Sequence, residues 1–523
     1  MTADVWTNKA RSFLGVSIHF LDENLDRKSY LLAFRRVYGR HTYIVLAEMI
    51  LSIQKEFNIK RSKVTHIVTD GASNFRKAFS IFGAPDGICE GSTDESANVH
   101  STSIQNEDEE EELEIEEVLA PEVVEDSLYF PPETISESLN FHVINDDDED
   151  DCDEYLHLPK QERCMAHSLN LLGTTDFEKN LKISSPRCFD ILTSGYGKLK
   201  NFWALNSRST VAHEIVFNVC KRSFPCPNAT RWNSKFDAIT VAEKHKLLIK
   251  NAIDEINKEV NKNIGGKRSK KLEQLSSMEW KVLKDYSNTL KPIAIALDIL
   301  QGDCRACQGY VLPTLYAIKA SFETNIKEKN FTSDYGLSMN ECSLKCLTTR
   351  FEAIMKFNEE NKELILASVI HPSFKISWIE NERDKEYAQT LLINTYIDMA
   401  NDKQKRPPND SSQYEKTQNN SAESQFFKRL RQGERRTCTD DTLTLDVWKY
   451  LLQSIEDPNL DQVRGVPILE DIFRRYNTTL SSSGVIERIF SKALLVFTPR
   501  RNRITDTNFE KALYIQQNRD LLL

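Results

Sequence analysis

TADVWTNKARSFLGVSIHFL, residues 2–21, carries the pattern on which the fold depends. Within it Leu14, Val16, Ile18 and Phe20 alternate with Phe13, Gly15, Ser17 and His19, the period of two expected of a strand with one buried face. Working outward, Tyr30 to Phe34 predicts a second strand beside it. Leu46, Ile50, Ile53 and Phe57 then recur at four, three and four, which is helical. Val64 to Thr69 is a short β-rich run ending at Asp70, and Gly71 to Phe82 reads as helix again. With a further strand ahead of these around Asp4, the order β, β, β, α, β, α over the first 82 residues predicts an α/β sheet.

A length of 523 residues exceeds one ordinary core and predicts two or three domains, or one domain with a large insertion. With 40% hydrophobic and 28% charged residues, the composition is that of a soluble globular chain. No apolar run is long enough for a bilayer and no basic-then-apolar leader follows Met1, so the expectation is a cytosolic or nuclear protein without a membrane role. Eleven cysteines at irregular spacings argue for reduced thiols over a disulfide scaffold.

The net charge of -10 conceals its distribution. Residues 107 to 154 hold 22 of the 78 acidic residues and no Lys or Arg, which leaves 56 acidic against 68 basic residues elsewhere, a remainder of +12. That remainder suits a polyanion such as DNA. The acidic blocks repel themselves and bury little, so residues 83–158 are expected to be a disordered insert. It is either a solvated loop or, more sharply, a nucleic-acid mimic.

From about 165 to 400 the pattern is helical. Trp280, Leu283, Tyr286 and Leu290 mark one face, continued by Ile293, Leu297 and Leu300 beyond an expected kink at Pro292. Residues 403–439, rich in Asn, Ser and Gln with Pro407 and Pro408, predict a linker. The chain closes with helices lined by Ile486, Ile489, Phe490 and Ala493, then by Phe509, Ala512 and Leu513, the last capped at Thr505 or Asp506.

Several stretches in order resemble the hAT (hobo, Activator, Tam3) transposase superfamily. They are residues 2–21, IVTDGASNFRKAF at 67–79, RCMAHSLNLL at 163–172, TRWNSKFDAI at 230–239 and RYNTTLSSSGVIERIFS at 475–491 with the helix after it, while LQGDCRACQGYVLPTL at 300–315 fits the helical part between. The resemblance implies an RNase H-like mixed sheet interrupted by a large all-α insertion, with a helical C-terminal segment. The domains implied are a first core part at 1–82, the acidic insert at 83–158, core again at 159–180, helical insertion at 181–402, linker at 403–439, and a dimerisation segment completing the core at 440–523.

By the same resemblance Asp4, Asp70 and Glu487 are the DDE triad, catalytic residues and ligands of two Mg²⁺ or Mn²⁺ ions. Hard oxygen ligands suit such ions, which together activate a nucleophile and stabilise a leaving oxygen. Taken singly, Asp70 also fits a turn or helix cap, Asp4 a frayed end and Glu487 a surface charge. Trp232, beside Arg231, corresponds to a tryptophan that stacks on a flipped base, and a buried core Trp is the alternative. His167, of the CxxH pair with Cys164, is expected to support the carboxylates or contact phosphate, with Cys164 a packed thiol. Arg500, Arg501 and Arg503, with Lys492, form the basic cluster expected to meet DNA. Cys304, Cys307, Cys342 and Cys346 are either a zinc set or buried thiols.

Three departures bear on activity. Family members begin with a zinc-binding BED finger, whereas this sequence begins at the first catalytic strand; Ala493 and Leu494 replace a glycine pair; and His371 stands where Asp is common. These predict a domesticated or truncated, nuclear, DNA-interacting protein that dimerises through its C-terminal region, with weak or no catalysis. The alternatives are an active metal-dependent transposase that cleaves and joins DNA, and an interaction module whose acidic insert recruits chromatin proteins. The stripe at 485–497, with Phe473, Tyr476 and Phe509, is expected to need either the helical insert or a second chain to cover it.

Overall fold

In the computed structural model the opening residues form two strands, β1 (Thr2–Asn8) and β2 (Arg11–Leu21), paired antiparallel from Thr2 opposite Ser17 to Asn8 opposite Arg11. The structure describes residues 1–8, 11–83, 157–227, 232–262, 271–302, 306–405, 440–453, 455–456, 458–497 and 504–521. β3 (Arg27–Val37) continues the antiparallel meander, with a bulge between Val16 and Ser17. β4 (His66–Thr69) then pairs parallel to β1, and β5 (Lys160–Arg163) parallel to β4. The result is a five-stranded mixed sheet in the order β3-β2-β1-β4-β5.

β2 differs from the expectation of one buried face. Phe13 and Leu14, adjacent and therefore on opposite faces, are both fully buried. The reason is that helices cover the sheet on both sides. On one side lie α1 (Tyr43–Glu56) and α2 (Ser73–Phe82), whose Leu46, Ile50, Ile53, Phe75 and Phe79 pack with Ala3, Leu14, Val16 and Ile67. On the other, the helices Gly484–Val496 and Asp506–Gln517 bring Ile486, Ile489, Phe490, Phe509 and Leu513 onto Phe13, Leu31 and Phe34. Thr505 caps the second of these helices by accepting from Asn508 N.

The chain leaves and rejoins the sheet at neighbouring points. Leu158 N donates to Phe82 O at 2.7 Å, and Gly83 bridges to Leu158. The acidic blocks expected over 83–158 lie outside the described residues, as does most of the linker expected over 403–439. After β5 the short helix α3 (Met165–Leu171) begins the largely helical remainder.

The helix Ser277–Leu300 is the axis of the larger helical core and runs on through Pro292 as one element. Its Leu283, Tyr286, Leu290, Ile293, Leu297 and Leu300 are buried with Phe177, Trp203 and Phe322. A capping box starts it: Ser276 Oγ accepts from Glu279 N, and the Glu279 carboxylate accepts from Ser276 N. A second core joins the helices Lys362–Val369, Glu382–Lys405, Asp440–Leu452 and Pro467–Asn477. His371 is buried among the rings of Tyr310, Phe374 and Phe473, and that burial pushes it down to about 4.

Cys304 lies outside the described residues, and among the described residues Cys307, Cys342 and Cys346 belong to no metal-holding group. The thiols of Cys342 and Cys346 point to the carbonyls of Phe177 and Asp176. No helix among the described residues is long and apolar enough to cross a membrane.

Candidate functional site

The parallel pairing of β1 with β4 sets Thr2 opposite Val68. Two residues further along each chain, that register carries Asp4 toward Asp70, the residue that follows β4, with both on the same side of the sheet. Across β1, Asp4 is paired with Gly15 of β2.

At Gly15 the helix Gly484–Val496 comes down onto the sheet. A Cβ there would fall 2.8 Å from Ile486 Cδ1 and 3.0 Å from Phe490 Cε1, so only glycine leaves room for the approach. Glu487 follows Ile486 in that helix, and its charge reaches Asp4. Charges from the end of β4 and from a helix more than 400 residues later thus both act on the Asp4 carboxyl of β1.

Their electrostatics record the crowding. Burial first, and then the Asp70 charge, hold the Asp4 carboxyl well above the usual carboxylate range; the Val5 N–H opposes and Glu487 adds a further upward push. Val5 N donates to Asp4 Oδ1 at 2.7 Å. Asp70 is also raised by burial, against the Ala72 N–H, which donates to Oδ1 at 3.2 Å, and the His167 ring. His167 lies beside Gly71, its Cδ2 3.6 Å and its Nε2 3.7 Å from where a glycine Cβ would stand.

Cys164 joins this site to the helix that carries Glu487. Its N–H donates to Thr69 O at 2.8 Å, at the end of β4. Its sulfur accepts from His167 N at 3.4 Å and from Ser483 N at 3.3 Å, and Met165 N donates to Ser481 O at 2.9 Å. Ser481 and Ser482 donate in turn to Leu300 O at 3.2 and 2.7 Å, which anchors the segment to the helical core. Burial pushes the Cys164 thiol up to about 11, and as a neutral group it fastens these segments through the two N–H groups its sulfur accepts from. Sequence reasoning saw a packed thiol here and missed the fastening role. It also missed Gly15, although a glycine inside a strand is a recognised signal of close backbone approach.

The residues expected to meet DNA are less well placed by the structure. Arg231, Arg500, Arg501 and Arg503 lie outside the described residues, and Trp232 starts the helix Trp232–Lys244. Lys492 is exposed and donates to Gln517 Oε1 at 3.2 Å. Lys235, near Trp232 in sequence, is occupied by Glu178 at 2.7 Å.

Asp4 is repelled by the Asp70 and Glu487 carboxylates, and carboxylate oxygens are the ligand type that hard divalent cations take. Because the folded Asp4 carboxyl titrates above its unfolded value, stability present below about pH 4 is lost as pH rises through the raised value. Asp4→Asn is therefore expected to raise the thermal midpoint of metal-free protein at pH 7, on the order of 2 °C or more. It should also flatten the decline between pH 4 and neutrality. A lowered midpoint across this range would mean that the three charges do not oppose one another.

Comparison with known families gives two matches. Residues 2–83 match the ZBED1 RNase-like domain, and residues 462–519 match the hAT family C-terminal dimerisation region. No curated protein matches the chain.

Proposed function

We propose, from the matches of residues 2–83 to the ZBED1 RNase-like domain and of residues 462–519 to the hAT C-terminal dimerisation region, that this hAT transposase-like chain acts on DNA as a dimer through a divalent-metal pocket made by Asp4, Asp70 and Glu487. The observation that carries this reading is the electrostatic meeting of the three carboxylates at Asp4. The order β3-β2-β1-β4-β5 supports an RNase H-like core. The helices after α3 would be its insertion, and the late helices covering Phe13 and Phe34 would complete it.

Two Mg²⁺ or Mn²⁺ ions held there would activate a water or 3′ hydroxyl and stabilise the leaving oxygen of a phosphodiester. Asp4, which feels both other carboxylates, would bridge the ions, while Asp70 and Glu487 would each hold one. His167, against Gly71 and next to Asp70, would orient that carboxylate or meet a phosphate. The surplus of 68 basic over 56 acidic residues outside 107–154 supports a polyanionic substrate, and a DNA substrate implies a nuclear location.

The dimer reading does not rest on the 485–497 stripe as a whole. Ile486, Ile489, Phe490 and Ala493 are spent inside, against the sheet, and Phe473 packs in the second helical core. What the matched dimerisation region leaves exposed is Leu494, Leu495 and Ile515, at 52, 76 and 57%.

The test is DNA nicking and strand joining by purified protein with Mn²⁺ or Mg²⁺, alongside sedimentation. Metal-dependent cleavage that Asp70→Asn reduces to background is the expected result. A dimer that neither cleaves DNA nor is stabilised by either metal would refute the pocket and leave a domesticated, non-catalytic descendant.

A further inference from the structure

Four residues before Asp70, about 13 Å away along the strand, a second group of ligating side chains gathers from three elements. His66 opens β4, Glu162 lies on β5, and Glu363 lies in the first turn of the Lys362–Val369 helix. The strand register pairs His66 with Lys160 and Val68 with Glu162, so His66 and Glu162 share the sheet face that meets the helix.

His66 Nε2 stands 3.2 Å from Glu363 Oε2 and 3.6 Å from Glu162 Oε1, and one ligand atom of each residue lies within 4.8 Å of the others. Two ligands held about 2.0–2.2 Å from one tetrahedral metal ion are about 3.3–3.6 Å apart, so the spacing is that of a metal's first ligands. The other ring nitrogen, Nδ1, is 3.3 Å from Thr479 Oγ1. A proton on Nδ1 donated to that hydroxyl leaves the Nε2 lone pair aimed at the two carboxylates, the tautomer a metal requires. Nε2 is buried without a hydrogen-bond partner. Two carboxylates facing this nitrogen need a cation between them, either a proton on Nε2 or a metal ion.

We infer that His66, Glu162 and Glu363 bind one divalent transition-metal ion, of the Zn²⁺ or Mn²⁺ class that one imidazole and two carboxylates suit. The ion would cross-link the edge of the sheet to the helical part, apart from the triad. Its open position would face a cavity of about 470 Å³ also lined by Arg163 and Arg475. The Lys160 ammonium, 3.2 Å from Glu363 Oε2, competes for the same carboxylate, but its side chain is 49% exposed and free to swing into solvent.

The experiment uses the full chain carrying Asp70→Asn, which weakens the triad pocket, stripped by chelation and titrated with Co²⁺ and Zn²⁺. One Co²⁺ site is expected, with visible absorption and no sulfur charge-transfer band. Glu363→Gln should weaken it at least tenfold, in line with losses of about 10–100-fold from disturbing a metal site. Lys160→Met, at an exposed position, should keep the fold and tighten binding severalfold. Binding that neither substitution moves, or no binding at all, would overturn the site and leave a protonated His66 bridging two carboxylates. Because Glu363 and Lys160 lie apart from the triad, the shifts these two substitutions cause are independent of whether the chain cleaves DNA.

Discussion

Phe509→Ala is expected to destabilise the protein by about 3–5 kcal/mol, the range for emptying a fully packed phenylalanine site. The ring is fully buried, with centroids 5.2 Å from Phe13, 5.5 Å from Phe34 and 5.3 Å from Phe497; the first two are edge-on contacts. It joins the last helix to β2 and β3, so its loss should release more than one side chain. β3 is an edge strand, and that helix satisfies part of its backbone. Asn518 accepts from Leu31 N at 2.9 Å and donates to Leu31 O at 2.8 Å, while Glu510 accepts from Phe34 N at 3.1 Å. Undocking would expose this edge, with aggregation as a second symptom. Denaturant unfolding measures the effect, and Phe509→Leu should retain more than half of the lost stability. A loss under about 1 kcal/mol would mean that the last helix does not hold the sheet in this way.

Gly15→Val should cost less and be more informative about the site. The added Cβ alone would meet Ile486 and Phe490 at 2.8–3.0 Å, and both belong to a core with little freedom to move. Overpacking of this kind costs about 1–3 kcal/mol, and here the strain is relieved only by lifting the helix that bears Glu487. The expected result is a folded, less stable protein that loses metal-induced thermal stabilisation together with any metal-dependent cleavage. Ile486→Ala in the Gly15→Val background makes room for the branch and should restore part of both. Unchanged metal stabilisation in Gly15→Val would separate Glu487 from the Asp4 pocket.

Both substitutions act where local sequence pattern was ambiguous. The alternation in FLGVSIHF was legible as a strand, but not the helix on each side of it, because a period of two marks the faces without saying what covers them. The helical stripe Ile486, Ile489, Phe490 and Ala493 was equally plain, yet it fitted a second chain as well as the sheet. Only the placement of Ile486 against Gly15 decides that it is internal.

By itself, the sequence determined the strand and helix order of the first 82 residues, the cap of the last helix, the apolar faces of the main helices, the uneven placing of charge and the likeness at both ends to hAT proteins. Those properties are local, set by backbone geometry and side-chain periodicity over a few turns. The tertiary structure alone decided that Asp4 lies within electrostatic reach of Asp70 and Glu487, that Cys164 ties β4 to the Glu487 helix, and that His66 faces Glu162 and Glu363. Such meetings join residues far apart in the chain, and no local pattern encodes them. They arise when packed elements bring charges out of water and close enough to act on one another.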